Sequence, residues 1–125
     1  MTHENMKYDI SGCNVYLSGV VSGATKEELH RSFGVAEGVC EWNGASVFNP
    51  VRCIPKTYSH EQAMLRCINE LSMFDWENTE PKPFYDFLIQ LDGWRYSEGA
   101  VLEGRVADAL GIEVISIHEV EWPDE

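Results

Sequence analysis

The chain has 125 residues, of which 44% are hydrophobic and 24% charged, proportions typical of one globular domain. Its formal net charge is −12, and its 9 lysine and arginine residues are scattered along the sequence. This charge argues against nucleic-acid polymers and anionic membrane surfaces as partners, because both are normally bound through clustered cations.

The first predicted elements are a leader, a strand and a helix. Residues 1–12 are polar and read as a loose leader, followed by a buried strand at Val15–Leu17. Thr25 with Glu28 matches a capping box, so a helix is expected over Lys26–Trp42, weakened in its middle by two glycines.

The middle of the chain repeats this strand-then-helix pattern. Ala45–Phe48 predicts a second strand, and Ser59 with Gln62 forms another capping box that begins a helix. Residues 74–84 contain three acids and two prolines and are expected to form a loop insertion. Phe87–Leu91 is expected to be a central strand.

The last predicted elements complete a β-α-β-α-loop-β-α-β order. Ser97 caps a helix that ends at Gly111, Glu113–Ile117 is the final strand, and residues 118–125 form an acidic tail. This order predicts a single three-layer α/β domain with an open parallel sheet of four to five strands and helices on both faces, flavodoxin-like or Rossmann-like. Ligands of such sheets bind at the carboxyl ends of the strands.

Glu103 stands out on the helix that follows Ser97. At about 100° per residue, Arg105 and Asp108 face solvent, whereas Glu103 lies beside Gly99 and Ala107 at the margin of the apolar stripe. Its carboxylate is therefore able to face the strand ends, with small neighbours leaving room for a ligand. The alternative is a boundary residue whose carboxylate turns to solvent.

The turn before this helix contains several side chains suited to a ligand. Gly93 and Gly99 permit close backbone approach, and Ser97 with the helix start is able to hold an anion such as a 5′-phosphate. Trp94 and Tyr96 are able to stack on a base. The alternatives are that Ser97 is only a helix cap and that the aromatic rings pack in a core or a dimer.

Three motifs together resemble the nucleoside 2-deoxyribosyltransferase-like superfamily over Val15 to Val114. They are Val15-Tyr16-Leu17-Ser18-Gly19, then Val47-Phe48-Asn49-Pro50 with His60 and Ala63-Met64, and then Gly93-Trp94 with Ser97-x-Gly99-Ala100-x-x-Glu103. The middle motif resembles a small branch of that superfamily that is common in phages and bacteria.

The resemblance implies a role for each matching residue. Glu103 would attack the anomeric carbon of a sugar, Tyr16 would place the sugar and Glu103, and Asp86, or less well Asp92, would assist base binding and protonation. Ser97 stands where the transferases have Asp and the related nucleotide N-hydrolases have Ser, which favours a 5′-monophosphate. The substrate contacts implied are Ser18, Gly19, Asp92, Gly93, Trp94, Ser97 and Gly99.

Two departures from the family pattern concern the first loop. Val20 replaces a proline that often follows the first Ser-Gly in the phage-type branch, and the Ser18–Gly23 loop contains no lysine or arginine. A phosphate would therefore lack a cation there unless Arg95 supplied one.

The expected function is hydrolysis or transfer at the N-glycosidic bond of a nucleoside or nucleoside 5′-monophosphate. The alternatives are a nucleotide-binding or sensor module without turnover, and an acidic protein-interaction module. The resemblance implies a homodimer or higher homo-oligomer. If Glu103 is the active carboxylate, it should lie within a few ångströms of the Tyr16 hydroxyl, facing a pocket at the strand ends.

Neither a cofactor nor a metal is expected. His30, His60 and His118 are far apart and lack ligand spacing, and the four cysteines contain no CxxC pair. The polar start has no signal-peptide pattern, so reduced thiols and a cytoplasmic location are expected.

Overall fold

The computed structural model describes residues 7–123, and its centre is a parallel sheet in the order β2-β1-β5-β6. The strands of the described chain are β1 (Asn14–Ser18), β2 (Ser46–Phe48), β3 (Phe74–Asp75), β4 (Lys82–Pro83), β5 (Phe87–Gln90) and β6 (Glu113–Ser116). The helices are α1 (Lys26–Leu29), α2 (Val35–Trp42), α3 (Pro50–Cys53), α4 (His60–Leu71) and α5 (Glu98–Leu110).

Helices cover both faces of the sheet, which confirms the expected three-layer α/β architecture. Side chains alternate along a strand, so Val15 and Leu17 of β1 enter the core on the α1–α2 side with Phe33. Tyr16 enters the core on the α4–α5 side with Cys67. Because Ser18 is two residues further on, it points to the same face as Tyr16.

The predicted helix boundaries are confirmed where a side chain caps the helix. Thr25 and Ser59 each form the expected capping box at the starts of α1 and α4. Ser97 caps α5, which ends at Gly111 with a φ of 82°. The predicted long helix is interrupted by a π-helical turn at His30–Gly34, near the glycine that was expected to weaken it.

Three predicted irregular segments are more ordered than expected. The 74–84 insertion contains an antiparallel hairpin formed by β3 and β4. Tyr8 forms a parallel bridge with Val120, and both Ile10 and Val120 are fully buried. Residues 7–12 are therefore not a loose leader, nor are residues 118–123 a free tail. Residues 1–6 and 124–125 of those two predicted segments lie outside the described residues.

The strand order positions a ligand site between β1 and β5. The chain passes from β1 to β2 on one side and then crosses back to β5 on the other, and ligands bind at such a reversal. The loops after β1 and β5 approach closely there, since a Cβ on Gly19 would lie 3.0 Å from the Leu91 Cβ. Glycine at position 19 permits this contact.

Within residues 7–123, the helices are too short and too polar for any of them to cross a membrane.

Candidate functional site

The Glu103 carboxylate is held at both oxygens by side chains of β1. The Tyr16 hydroxyl donates to Oε2 at 2.6 Å, and the Ser18 hydroxyl donates to Oε1 at 2.7 Å. The two-residue period of the strand places both donors on the face that α5 covers. The predicted contact between Tyr16 and Glu103 is therefore present, and Glu103 does not simply turn to solvent.

Burial and hydrogen bonding act in opposite directions on Glu103. Burial raises the pKa of its carboxyl above the ordinary value, although the bonds from Ser18 and Tyr16 oppose that rise. Burial and the nearby carboxylate also raise the pKa of the Tyr16 phenol far above its usual range. Tyr16 therefore remains a protonated donor at any physiological pH.

A cavity of about 140 Å³ adjoins Glu103 at the carboxyl ends of the strands. Its walls come from the loop after β1, from α3 and the residue after it, from the first two turns of α4, and from the start of α5. The lining residues are Gly19, Val21, Ser22, Pro50, Ile54, His60, Ala63, Met64, Cys67, Ser97, Gly99, Ala100 and Glu103. This is the pocket that the Glu103 hypothesis required.

Three of the residues predicted to contact substrate line the cavity. They are Gly19, Ser97 and Gly99. The Ser97 side-chain oxygen accepts the Ala100 amide at 3.2 Å, so it acts as the helix cap, while its hydroxyl proton is free to reach a ligand.

Tyr16 and Ser18 occupy a different position from the one expected for substrate contacts. Both are fully buried and neither lines the cavity. Their hydroxyls therefore position the Glu103 carboxylate and do not themselves face the cavity. Ser18, predicted as a substrate contact, is corrected to this role because its hydroxyl is directed at the carboxylate.

Neither of the two predicted aspartates reaches the cavity. Asp86 precedes β5, and its carboxylate accepts the Asn14 amide at 2.8 Å at the amino edge of the sheet. Four residues of strand, about 13 Å, separate Asn14 from Ser18. Asp92 lies at the correct edge but pairs with His118 Nε2 at 2.7 Å. The prediction that Asp86 or Asp92 assists protonation of the base is therefore corrected, because neither carboxylate reaches the cavity.

The other predicted residues of this turn also lie outside the cavity lining. Gly93 has a φ of 83°, which makes it a turn residue, and a Cβ at this position would lie 3.6 Å from Val20 Cγ2. The Arg95 guanidinium lies over the Trp94 ring at 5.5 Å from the centroid, and Tyr96 is 90% exposed. Neither ring lines the cavity, so the structure does not support the expected stacking of a base on Trp94 and Tyr96.

One face of α4 contributes site residues to which the sequence analysis gave no role, although His60 and Ala63-Met64 belong to the middle motif quoted there. His60, Ala63, Met64 and Cys67 all line the cavity. Their spacing of i, i+3, i+4 and i+7 marks one helix face, and this spacing was the available signal. Burial raises the pKa of the Cys67 thiol to about 11, so the thiol is neutral and suited to packing against a ligand.

The side chains that line the cavity are mainly apolar, with a few polar groups. Across residues 7–123, no three His, Cys, Asp or Glu side chains cluster in a way that could hold a metal ion. The cavity instead combines one carboxylate, one imidazole and a mainly apolar wall. Such a mixture is typical of sites that orient a small organic molecule.

Comparison with known proteins identifies one family. The family model described as "Domain of unknown function (DUF4406)" matches residues 13–116, which include β1, the cavity and β6. No curated protein and no solved structure matches the chain.

Proposed function

This chain belongs to the DUF4406 family, a domain of unknown function, and we propose that it cleaves the N-glycosidic bond of a nucleoside or nucleoside 5′-monophosphate. One observation carries the proposal. A partly buried carboxylate, held at 2.6 Å and 2.7 Å by two hydroxyls, borders a cavity at the strand ends. Binding there is consistent with the usual position of ligands on open parallel sheets.

Glu103 is the proposed nucleophile. Its ionised carboxylate forms a bond to the anomeric carbon, and the carbon–nitrogen bond breaks with its electron pair moving to the base. Water then attacks the same carbon, releases the sugar and restores the carboxylate. Tyr16 and Ser18 fix the carboxylate orientation, so that little reorganisation accompanies the attack.

His60 is the proposed proton donor to the departing base. It lines the same cavity as Glu103 from the first turn of α4, whereas Asp86 lies at the opposite edge of the sheet. The imidazolium gives its proton to the base nitrogen, and the neutral imidazole then takes a proton from the attacking water. His60 alone therefore supplies the proton that the base needs and recovers one from water.

The test is release of free base from purified protein, followed by chromatography, with 2′-deoxynucleosides and their 5′-monophosphates as substrates. Wild-type protein should release base and Glu103→Gln should release none. Brief incubation should also leave a sugar-sized mass increase on the peptide that contains Glu103. The proposal fails if the wild type releases no base, or if Glu103→Gln releases it at the wild-type rate.

A second kind of substrate tests whether His60 protonates the departing base. A 7-methylpurine nucleoside loses its base without needing a proton, because the ring is already cationic. In a single turnover with enzyme in excess, which measures bond cleavage before water attacks, His60→Ala should therefore slow base release from an ordinary purine nucleoside by about tenfold or more and leave release from the 7-methyl substrate near the wild-type rate. Equal slowing of both substrates would show that His60 acts only through structure.

A binding module without turnover is the second candidate, and the electrostatics of Glu103 favour it. Burial raises the pKa of this carboxyl, and a protonated carboxyl donates a hydrogen bond but does not attack carbon. Saturable nucleoside binding with no base released in the same assay would select this candidate.

A further inference from the structure

We propose that the cavity beside Glu103 takes an uncharged nucleoside in preference to its 5′-monophosphate. This inference rests on the proposed function and narrows its substrate class. It is argued from the charges around the cavity, and it differs from the preference that Ser97 suggested in the sequence.

The cavity wall offers no cationic side chain except through His60. Lysine and arginine do not occur among the lining residues. Lys56 and Arg105 lie near lining segments but are exposed and outside the lining, and three further arginines near the cavity are engaged with other groups. They are Arg52 with Glu37, Arg66 with Glu70, and Arg95 over the Trp94 ring.

Acidic residues weaken the positive potential that a phosphate would find at the helix ends near the cavity. The amino ends of α4 and α5 both reach the cavity, and helix amino ends attract anions. However, Glu61 lies in the first turn of α4 and Glu98 in the first turn of α5. Neither of these side chains lines the cavity, whereas the Glu103 carboxylate does. A phosphate dianion would therefore meet the Glu103 carboxylate there, with the His60 side chain as the one potential cation in the lining to offset the repulsion.

The uncharged part of the wall suits a sugar and a base. Val21, Ile54 and Met64 supply apolar surface, and Ser22, His60 and Ser97 supply a few polar groups. A neutral nucleoside is able to bury its ring faces on the first set and bond its hydroxyls and base edges to the second. It adds no charge to a chain whose net charge is already −12.

The experiment compares matched pairs of substrates. The kcat/KM for base release is measured for each of the four common 2′-deoxynucleosides and for its own 5′-monophosphate, at about 50 mM and about 500 mM salt. Each nucleoside should exceed its monophosphate by about tenfold or more at low salt, and the ratio should shrink at high salt because salt screens repulsion. A monophosphate that equals or exceeds its nucleoside overturns the inference.

A variant adds the missing cation. Val21 lines the cavity from the exposed loop after β1, so Val21→Arg places a guanidinium near it, and Val21→Gln is the uncharged control. The nucleoside-to-monophosphate ratio should fall about tenfold in Val21→Arg and stay at the wild-type ratio in Val21→Gln. An equal ratio in both variants would show that charge does not set the preference.

Failure of the reaction and failure of this inference are separable. If no base is released from either set, the proposed cleavage is refuted, and calorimetric binding of the same pairs to wild-type protein tests the ligand class alone. Tighter binding of the nucleosides then supports the inference, and tighter binding of the monophosphates overturns it. Base released faster from the monophosphates refutes the inference while the proposed cleavage stands.

Discussion

Replacing Glu103 by Gln should make the protein more stable at pH 8 while removing any cleavage activity. Ionised Glu103 is buried beside two hydroxyls, and burial raises its pKa more than those hydrogen bonds lower it. The charged form therefore destabilises the folded state relative to the neutral form. An amide of the same shape avoids the cost of burying that charge.

The magnitude follows from two opposing effects. A hydrogen bond to a charged acceptor contributes roughly 1.5–3 kcal/mol and one to a neutral acceptor about 1 kcal/mol, so two bonds to Gln lose roughly 1–4 kcal/mol. Burying a carboxylate costs several kcal/mol, and the direction of the pKa shift shows that this cost is larger. The expected net change is a gain in stability, and each 1 kcal/mol of gain would appear as about 4 °C in Tm.

The local geometry accommodates the amide. The Tyr16 hydroxyl is also 3.4 Å from the Cys67 carbonyl oxygen. It is able to turn its proton to that carbonyl and accept a hydrogen from the amide nitrogen, while Ser18 continues to donate to the amide oxygen. Neither buried hydroxyl is left without a partner.

The pH dependence gives the sharper measurement. A carboxyl with a raised pKa in the folded state binds its proton more tightly there than in the unfolded chain. Wild-type stability from this group is therefore full below the unfolded pKa of about 4.3 and is lost as pH rises through the folded value. The Gln variant does not titrate at this position.

Urea unfolding at pH 5 and pH 8 tests this reasoning. The advantage of Glu103→Gln over the wild type should be larger at pH 8 than at pH 5. Glu80→Gln, an exposed position in the hairpin turn, is the control and should stay within about 0.5 kcal/mol of wild type at both values. A Gln variant less stable than wild type at pH 8, or an advantage equal at both values, would refute the account.

Three further changes follow from single contacts. Tyr16→Phe removes one donor from Glu103, so it should lower kcat by about tenfold or more and displace the rising limb of the pH–rate profile to higher pH, because the pKa of Glu103 rises further. A thiol reagent at pH 8 should modify exposed Cys53 in the native protein far faster than Cys67, which lines the cavity but is buried with its pKa raised to about 11, and unfolding should remove the difference. Gly19→Ala should lower the free energy of unfolding by about 1–3 kcal/mol in urea titration, because its Cβ would lie 3.0 Å from the Leu91 Cβ.

Local features of the fold were predictable from the sequence because each depends on a few adjacent residues. The capping pairs at Thr25 and Ser59 and the stop at Gly111 act within one helical turn, and the structure has all three. The 74–84 hairpin was missed because its strands are two residues long, which is too short to show a period.

The candidate site was only half predictable. Glu103 was identified from its position around the helix and Tyr16 from a family motif, and the two side chains are hydrogen-bonded to each other. Asp86 was wrongly assigned to the site. It precedes its strand, and a residue before a parallel strand lies at the amino edge of the sheet, whereas ligands bind at the carboxyl edge. No site role was predicted for the α4 residues, because an apolar helix face does not reveal whether it meets core or cavity.

The bridge between Tyr8 and Val120 brings the two ends of the described chain side by side. A short linker is therefore able to join them, and the chain is then free to be opened elsewhere, for instance at the exposed turn around Asn78 in the hairpin. In such a circular permutant Glu103 would be synthesised before Tyr16 and Ser18, and yet the same three side chains would meet. What this fold has to conserve is the spatial order of its sheet; the temporal order in which the ribosome supplies the strands is incidental to the site.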